Sequence, residues 1–480
     1  MKKRSLPSAC VDRAPSSVEA ALEFWERVGN VAELWWSRHG GLDAADIAGQ
    51  RLQALVAFAR QASPFYKRLY ADLPPAPRLE TLPAVGKREL MANFEDSCTD
   101  PRIRREEVER FLADRARIGT TLPGGYHVWK SSGTCGVPGI FLQDRRAMAV
   151  YDALVAAHFD ADAFDASGAA KIAAGAGRAA LVIATGDHYA GIASWEHLRR
   201  AFPAPARGSF SVLDPLPRLV AGLNEFQPAF LSAYPSALAL LAAERVAGRL
   251  RIAPALLWSG GETLAFSTKL AIESAFGCRV MNEYGASECL AIAHECAAGW
   301  MHVNSEWVIL EGVDARGRPT QPGELSHTVL LTNLANWIQP IIRYDLGDRM
   351  MMLPVPCACG NPMPAVRIEG RRDATLALRT RQGRTVHLLP MALSTVVEEA
   401  AGEHRFQIAQ SAPDHLVIRM ECEGAAGERA ARWKRAHGAL RAYLSAQSLA
   451  NVRLTLDRAK PRVDPRSGKL HAVVVEKEPG

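Results

Sequence analysis

From about residue 125 onward, short β-rich runs alternate with helical segments, and this pattern constrains the fold more than any other feature. The runs fall at 126–130, 139–142, 180–184, 230–233, 256–258 and 279–283, with helical patterns such as 147–158 and 236–247 between them. A strand that is followed by a helix and then by another strand pairs most readily in parallel, so the expectation is an α/β domain built largely on parallel strands. Over 301–355 the runs lengthen and are separated by turns, as in 324–333, which reads as a more antiparallel β subdomain. Ahead of the alternation lies a helical leading region. Leu22, Trp25, Val28, Val31, Leu34 and Trp35 recur at helical spacing, and Leu52, Leu55, Val56, Phe58 and Ala59 form one stripe over 44–62 that stops at Ser63-Pro64. Beyond about residue 374, runs at 406–410 and 416–421, a helix over 425–446 and a run at 451–456 read as a small separate α+β unit.

The 480 residues are too many for one ordinary domain. With 48% apolar and 22% charged residues the chain has a globular balance. The 57 basic and 51 acidic residues leave +6, which permits a basic cleft for an anionic ligand and does not point to nucleic acid. Nine irregularly spaced cysteines do not make a disulfide scaffold, so a reduced, cytoplasmic compartment is expected. No apolar run is long enough to cross a bilayer. Met1-Lys2-Lys3-Arg4 is charged, but Pro7, Asp12, Arg13 and Pro15 follow without an apolar stretch, which argues against export.

The first motif with chemistry in it is Lys130-Ser131-Ser132-Gly133-Thr134-Cys135-Gly136-Val137-Pro138-Gly139, between two β-like runs. Its hydroxyls and small residues can wrap an anion with backbone N–H groups pointing inward, although a surface turn has the same composition. Gly175-Ala176-Gly177-Arg178 imitates a dinucleotide fingerprint, but it precedes a strand-like run instead of following one, and reads as a loop entering a strand.

Further segments follow in a fixed order: Ser259-Gly260-Gly261-Glu262, then Glu283-Tyr284-Gly285-Ala286-Ser287-Glu288, Arg343-Tyr344-Asp345-Leu346-Gly347-Asp348, Glu369-Gly370-Arg371-Arg372-Asp373 and Ser467-Gly468-Lys469. Together with the Ser/Gly/Thr loop, this order resembles the core motifs of the adenylate-forming superfamily of acyl-CoA synthetases, adenylation domains and luciferases. Phe58-Ala59-Arg60-Gln61-Ala62-Ser63-Pro64-Phe65-Tyr66 and the segment from Leu82-Pro83 through Gly86-Lys87 to Phe94 make it most similar to the phenylacetate–CoA ligase branch. The stretch 330–350 is also similar to relatives that adenylate a coenzyme without forming a thioester.

The resemblance implies a large N-terminal adenylate-forming domain over 1–372, with a helical leading region over 17–95 and a β subdomain over 301–370. A small mobile C-terminal domain over 373–480 would turn on a hinge at Asp373. ATP activates a carboxylic acid as an acyl-adenylate, and a thiol, usually that of coenzyme A, displaces AMP. By match to the family motifs, Ser131, Ser132, Gly133 and Thr134 would hold the β- and γ-phosphates. Gly260, Gly261 and Glu262 would line the adenine pocket, with Glu283, Tyr284, Gly285 and Ser287 in the same ATP/AMP site and Tyr284 packed on the purine. Glu288 would ligate Mg²⁺. Asp348, assisted by Arg371, would accept from the ribose, and Lys469 would bridge the carboxylate and the α-phosphate as a point charge. Read singly, Glu288 is also a helix-entry carboxylate, Asp348 a turn residue and Lys469 a lysine after a Ser-Gly turn; the order of the motifs carries the functional reading.

Cys135 replaces a usual hydroxyl, Asp345 a usual arginine, and Leu470-His471 follows the lysine. Cys296, His302, Cys357 and Cys359 are a plausible tetrahedral zinc set, with His294 as a competing ligand and four ordinary reduced side chains as the plain alternative. Cys10, Cys98, Cys278, Cys289 and Cys422 read as structural. Tyr234 and Trp258 are candidate walls of a pocket for an aromatic acid, or core residues. The partners expected are a small carboxylic acid and a second copy of the chain as a homodimer, with no nucleic acid and no membrane. The expected reaction is an AMP-forming acid–thiol ligation. A different acceptor, such as a carrier-protein thiol or an amine, and a non-catalytic nucleotide-binding relative are the alternatives.

Overall fold

The computed structural model describes residues 29–34, 43–131, 139–158, 166–201, 206–212, 214–371, 376–388, 390–403, 405–421, 426–463 and 470–476. Most of the helix expected over 17–38 lies outside them. The second expected helix is Ala44–Ala62. Asp43 caps it by accepting from the Ala45 N–H, and Ala48, Leu52, Leu55, Val56 and Ala59 form its buried stripe. Ser63 then closes this helix and caps the next one, Pro64–Leu69, by accepting from the Tyr66 N–H. The leading region is tied to the body through Tyr66, whose hydroxyl donates to the Pro340 carbonyl at 2.8 Å.

Among the described residues twenty strands follow. A hairpin of β1 (His127–Lys130) and β2 (Ile140–Gln143) flanks the Ser/Gly/Thr loop. The strands β3 (Ala179–Ile183), β4 (Arg207–Ser211), β5 (Phe230–Ala233), β6 (Leu256–Gly260) and β7 (Arg279–Ala286) pair in parallel in the order β4-β3-β5-β6-β7. Helices such as Pro235–Val246 and Phe266–Phe276 form the crossovers between them. The segment 175–178 enters β3 from the end of helix Ala166–Ala174, as its position in the sequence suggested.

The antiparallel strands divide between two sheets. β8 (Cys289–Glu295), β9 (Met301–Val303), β13 (Asp348–Met352) and β14 (Ala365–Arg371) extend the parallel sheet beyond β7 to nine strands, in the order β7-β8-β9-β14-β13. β10 (Val308–Val313), β11 (Thr328–Asn333) and β12 (Ile341–Asp345) form a separate three-stranded antiparallel sheet. Part of the expected β subdomain is therefore continuous with the main sheet.

Two buried clusters hold this body together. One joins the leading helices, β1, β2, β8 and the β10–β12 sheet, with Trp129, Phe141 and Tyr344 fully enclosed. The other lies under the parallel strands around Leu231, Leu257 and Val280. Each fully enclosed side chain of this size contributes about 1.5–3 kcal/mol through removal of apolar surface from water. A third cluster, with Leu378, Phe406, Ile418 and Leu440, belongs to the last hundred residues. There the hairpin β15 (Leu376–Arg379) and β16 (Thr385–Leu388) accompanies a four-stranded sheet of β17 (Phe406–Ala412), β18 (His415–Met420), β19 (Arg453–Asp457) and β20 (Val473–Val475). Helices Pro390–Ala401 and Ala426–Ala446 cover it. No helix among the described residues is long and apolar enough to cross a membrane.

Candidate active site

Parallel strands present their C-terminal ends, and the loops that follow, along one edge of a sheet, and ligands in α/β folds gather there. Three consecutive loops do so here. Tyr234-Pro235-Ser236 follows β5, Gly261-Glu262 follows β6, and Ser287-Glu288 makes the turn between β7 and β8. They border a cavity of about 2100 Å³ whose walls also include Ser131, Trp258, Gly260, Glu283, Tyr284, Gly285 and Asp348. A pocket for one drug-sized ligand is about 300–1,000 Å³, so this cleft has room for more than one molecule. Ser132, Gly133, Thr134, Asp373 and Lys469 lie outside the described residues. Arg371 ends β14 with its backbone paired to Asp348, and its side chain is likewise not described.

The turn carrying Glu288 is held from two sides. The Trp129 indole donates to the Ser287 carbonyl at 2.8 Å, and the Asn333 amide donates to the Glu288 carbonyl at 3.0 Å and to the Tyr151 hydroxyl at 2.7 Å. Gly285 is required by the same turn, because a Cβ there would stand 2.1 Å from the Leu290 carbonyl oxygen. Glu288 is thus a buried residue of a strand–strand turn, not a helix-entry carboxylate. The supporting residues Trp129, Tyr151 and Asn333 carry no local sequence signal. They reach the turn from far along the chain, and only the folded topology brings them together.

On one face of β7, the Tyr284 hydroxyl donates to Asp348 Oδ2 at 2.6 Å. Asp348 is buried and opens β13 directly after Gly347, whose φ of +71° favours glycine. Asp345 shapes that bend by accepting from the Gly347 N–H at 2.9 Å. Successive strand residues face opposite ways, so Glu283 points away from Tyr284. Its carboxylate accepts from the Trp258 indole at 2.9 Å, and burial pushes its pKa up to about 8, with the indole N–H opposing in part. Glu283, expected among the nucleotide residues, lines the same cavity as Tyr284 and is bonded there to Trp258.

Glu262 faces the C-terminal unit. One carboxylate oxygen accepts from the Ser236 N–H at 3.1 Å. The other accepts from the Ser236 hydroxyl at 3.1 Å and from the Leu470 N–H at 2.8 Å. The residue after Lys469 is thereby fixed at the rim of the cavity, which Leu470 and His471 also line.

The neck of the Ser/Gly/Thr loop is closed by Ser131. Its N–H donates to the Gly139 carbonyl at 2.9 Å, and its hydroxyl accepts from the Gly139 N–H at 2.8 Å. The Lys87 ammonium donates to the same hydroxyl at 3.4 Å and lines the cavity. Lys87 arrives there because the segment before it docks on β12, with the Val85 N–H donating to the Arg343 carbonyl and the Asp345 N–H to the Val85 carbonyl. The buried Arg343–Glu311 pair, 3.0 Å, backs that junction. Lys87 carries no functional signal of its own in the sequence, and its place beside the loop is a result of the fold.

Cys296, His302, Cys357 and Cys359 converge, with all ligand atoms within 4.8 Å of one another. Cys296 Sγ and Cys357 Sγ are 3.8 Å apart, the edge of a tetrahedron with Zn–S bonds of about 2.3 Å. His302 Nδ1 bonds the Met363 carbonyl at 2.9 Å, which leaves Nε2 turned toward Cys359 Sγ at 3.2 Å. This outer contact orients a ligating imidazole as metal sites require. The donor set fits zinc, as three thiolates and one imidazole that close the coordination sphere and suit a structural ion. His294 is not part of it; its ring lies on His158, with centroids 3.9 Å apart. Of the other cysteines, Cys98 and Cys289 are buried and Cys278 is half-buried, whereas Cys10 and Cys422 lie outside the described residues.

No protein-family model matches the chain. Among curated proteins, the phenylacetate–coenzyme A ligase of Thermus thermophilus is 25% identical over 354 residues, which cover 69% of this chain and 71% of that protein. Among solved structures, 2-hydroxyisobutyryl-CoA ligase in its postadenylation state, in complex with R3-HIB-AMP, superposes with a TM-score of 0.64 at 20% identity, covering 92% of this chain and 90% of that one. The same ligase with 2-HIB-AMP and CoA in the thioesterification state gives a TM-score of 0.51 at 22% identity, covering 90% of each chain.

Proposed function

Because the chain belongs to the adenylate-forming superfamily, we propose that it activates a carboxylic acid with ATP and passes the acyl group to the thiol of coenzyme A. In the first step a carboxylate oxygen attacks the α-phosphorus, and the bond to the β-phosphate oxygen breaks. In the second, the sulfur attacks the acyl carbon and AMP leaves. The observation that carries this reading is the convergence of Glu262, Tyr284, Glu288, Asp348 and the backbone of Leu470 on one cavity, from motifs more than 200 residues apart in sequence.

The described residues are assigned by their surroundings, and Ser132, Gly133, Thr134, Arg371, Asp373 and Lys469 by the motifs that carry them. Asp348, held by the Tyr284 hydroxyl, accepts from the ribose, with Arg371 assisting, and the Tyr284 ring faces the purine. Gly260 and Gly261 let the base approach the backbone. Both Glu262 oxygens are taken by protein donors, so this residue serves the nucleotide through the loop it orders. Ser132, Gly133 and Thr134 wrap the outer phosphates above the neck that Ser131 closes, and Lys87 supplies positive charge beside them. Glu288 is assigned to hold Mg²⁺, which would neutralise charge on the phosphates when bound. Lys469 stabilises the charge that develops between the carboxylate and the α-phosphate. Asp373 is assigned as the hinge that lets the C-terminal unit leave between the two steps. Tyr234 and Trp258 give the acid flat walls, which supports an aromatic substrate.

The test is pyrophosphate release from purified protein over a panel of aromatic and aliphatic acids, with and without coenzyme A. Acid-dependent pyrophosphate together with a mass-detected thioester is the expected outcome. Pyrophosphate without thioester would assign a different acceptor, and no acid-dependent pyrophosphate would overturn the reading.

A further inference from the structure

The parallel register of β6 and β7 places Trp258 opposite Met281 and Gly260 opposite Glu283. Trp258 and Glu283 are therefore diagonal neighbours on one face, and the position beside Glu283 carries no side chain. The missing side chain leaves the carboxyl open to the cavity that Gly260, Trp258 and Glu283 all line. On the other side, β8 pairs His294 with Glu283, and His158 stacks against both His294 and Trp258. This wall is polar, although flat apolar area alone would suffice for a plain hydrocarbon acid.

Glu283 makes one hydrogen bond with its side chain, from the Trp258 indole. No lysine or arginine among the described residues pairs with it. A half-buried carboxyl without a counter-charge is costly, and it is tolerated where a ligand in the cavity completes its hydrogen bonds. Burial favours its neutral form, which can both donate and accept.

Resting on the adenylation reading above, we propose that Glu283 is a specificity-determining residue. It hydrogen-bonds a second polar group, a hydroxyl or an amine, on the carboxylic acid substrate. A hydroxyl takes the carboxyl proton in a hydrogen bond. An aliphatic amine, a stronger base than this carboxylate, takes it outright and leaves an ammonium–carboxylate pair. A substrate bearing only C–H at that point leaves the carboxyl unsatisfied, the kind of mismatch by which enzymes discriminate strongly.

The experiment compares phenylacetic acid with its ring-hydroxylated and ring-aminomethylated forms, measured as kcat/KM for pyrophosphate release in wild type, Glu283→Gln and Glu283→Leu. Wild type should favour at least one substituted acid over the parent by about tenfold or more. Glu283→Leu should lose that preference, the ratio of kcat/KM for substituted over parent acid falling to about one. Glu283→Gln should keep a hydroxyl preference and lose an amine preference, which separates the two sources. Should the Leu variant fail to fold, Glu283→Ala, which removes the same polar atoms with less bulk, takes its place and should lose the preference likewise. Equal kcat/KM for parent and substituted acids in wild type, with no change in either variant, would overturn the proposal and leave adenylation standing. Absence of turnover with every acid would contradict the adenylation reading; calorimetric binding of the same acids then decides the role of Glu283, equal affinities overturning it and a Glu283-dependent preference supporting it.

Discussion

The backbone N–H of Leu470 donates to Glu262 Oε1 at 2.8 Å, joining the last segment of the chain to the loop after β6 across 208 residues of sequence. The residue before Leu470 is Lys469. A bond at that point fixes the backbone next to the lysine relative to the nucleotide loops, which is what a residue acting only in the first half-reaction needs. Lys469→Ala should lower acid-dependent ATP–pyrophosphate exchange by about 10²-fold or more. It should leave thioester formation from supplied acyl-adenylate within a fewfold of wild type. Full exchange activity in this variant would remove Lys469 from the mechanism.

Tyr284 and Asp348 make a second test. Tyr284→Phe keeps the ring and deletes the 2.6 Å hydrogen bond to a buried carboxylate. Losing a bond to a charged group costs about 1.5–3 kcal/mol. KM for ATP should therefore rise by about tenfold or more, with kcat for the saturated enzyme less affected and the circular dichroism spectrum unchanged. An unaltered KM would separate this pair from nucleotide binding.

Glu283 gives a pH dependence with a definite sign. Its folded-state pKa is raised to about 8 from an ordinary carboxylate value of 4.5. Between those values the folded state binds more protons than the unfolded state, so this group makes stability fall as pH rises. The loss begins near the unfolded pKa and levels off above the folded one, with a slope of up to about 1.4 kcal/mol per pH unit. The groups facing it are the Trp258 indole, His294 on β8 and His158 behind them. In urea melts at pH 5, 6, 7 and 8, wild type should lose stability relative to Glu283→Gln as pH increases. A constant difference between the two would show that the Glu283 carboxyl is ionised throughout.

The cysteine–histidine cluster predicts one zinc ion per chain in purified protein by elemental analysis. A strong chelator should lower the unfolding temperature, because a closed four-ligand site stabilises only the folded state. Cys357→Ser should reproduce the loss of both metal and stability. Protein free of zinc after purification in zinc-replete medium would leave the four residues as ordinary reduced side chains.

Much of the parallel half was legible in the sequence, because each strand there is a local run bounded by turn residues. Phe230–Ala233 and Leu256–Gly260 are such cases. The extension of the main sheet through β9 and β14 was not. β9 has three residues, and its partner β14 begins more than sixty positions later, so neither length nor periodicity signals the pairing. The same holds for the candidate site. The ordered motifs pointed to Glu262, Tyr284, Glu288 and Asp348, which line one cavity. The Trp258–Glu283 bond depends on the register between β6 and β7, and the approach of Lys87 to Ser131 depends on the docking of Val85 on β12; both are properties of tertiary pairing. The cysteine–histidine cluster was readable by residue type, but the exclusion of His294 required seeing it turned toward His158.

The central claim is that a carboxylate oxygen of the substrate becomes bonded to the α-phosphorus of ATP. Turnover of an acid labelled with ¹⁸O in its carboxyl group, in the presence of ATP and coenzyme A, tests this directly by mass spectrometry of the nucleotide product. The account predicts AMP carrying one ¹⁸O atom, with unlabelled pyrophosphate. Unlabelled AMP, or ADP as the nucleotide product, would contradict it.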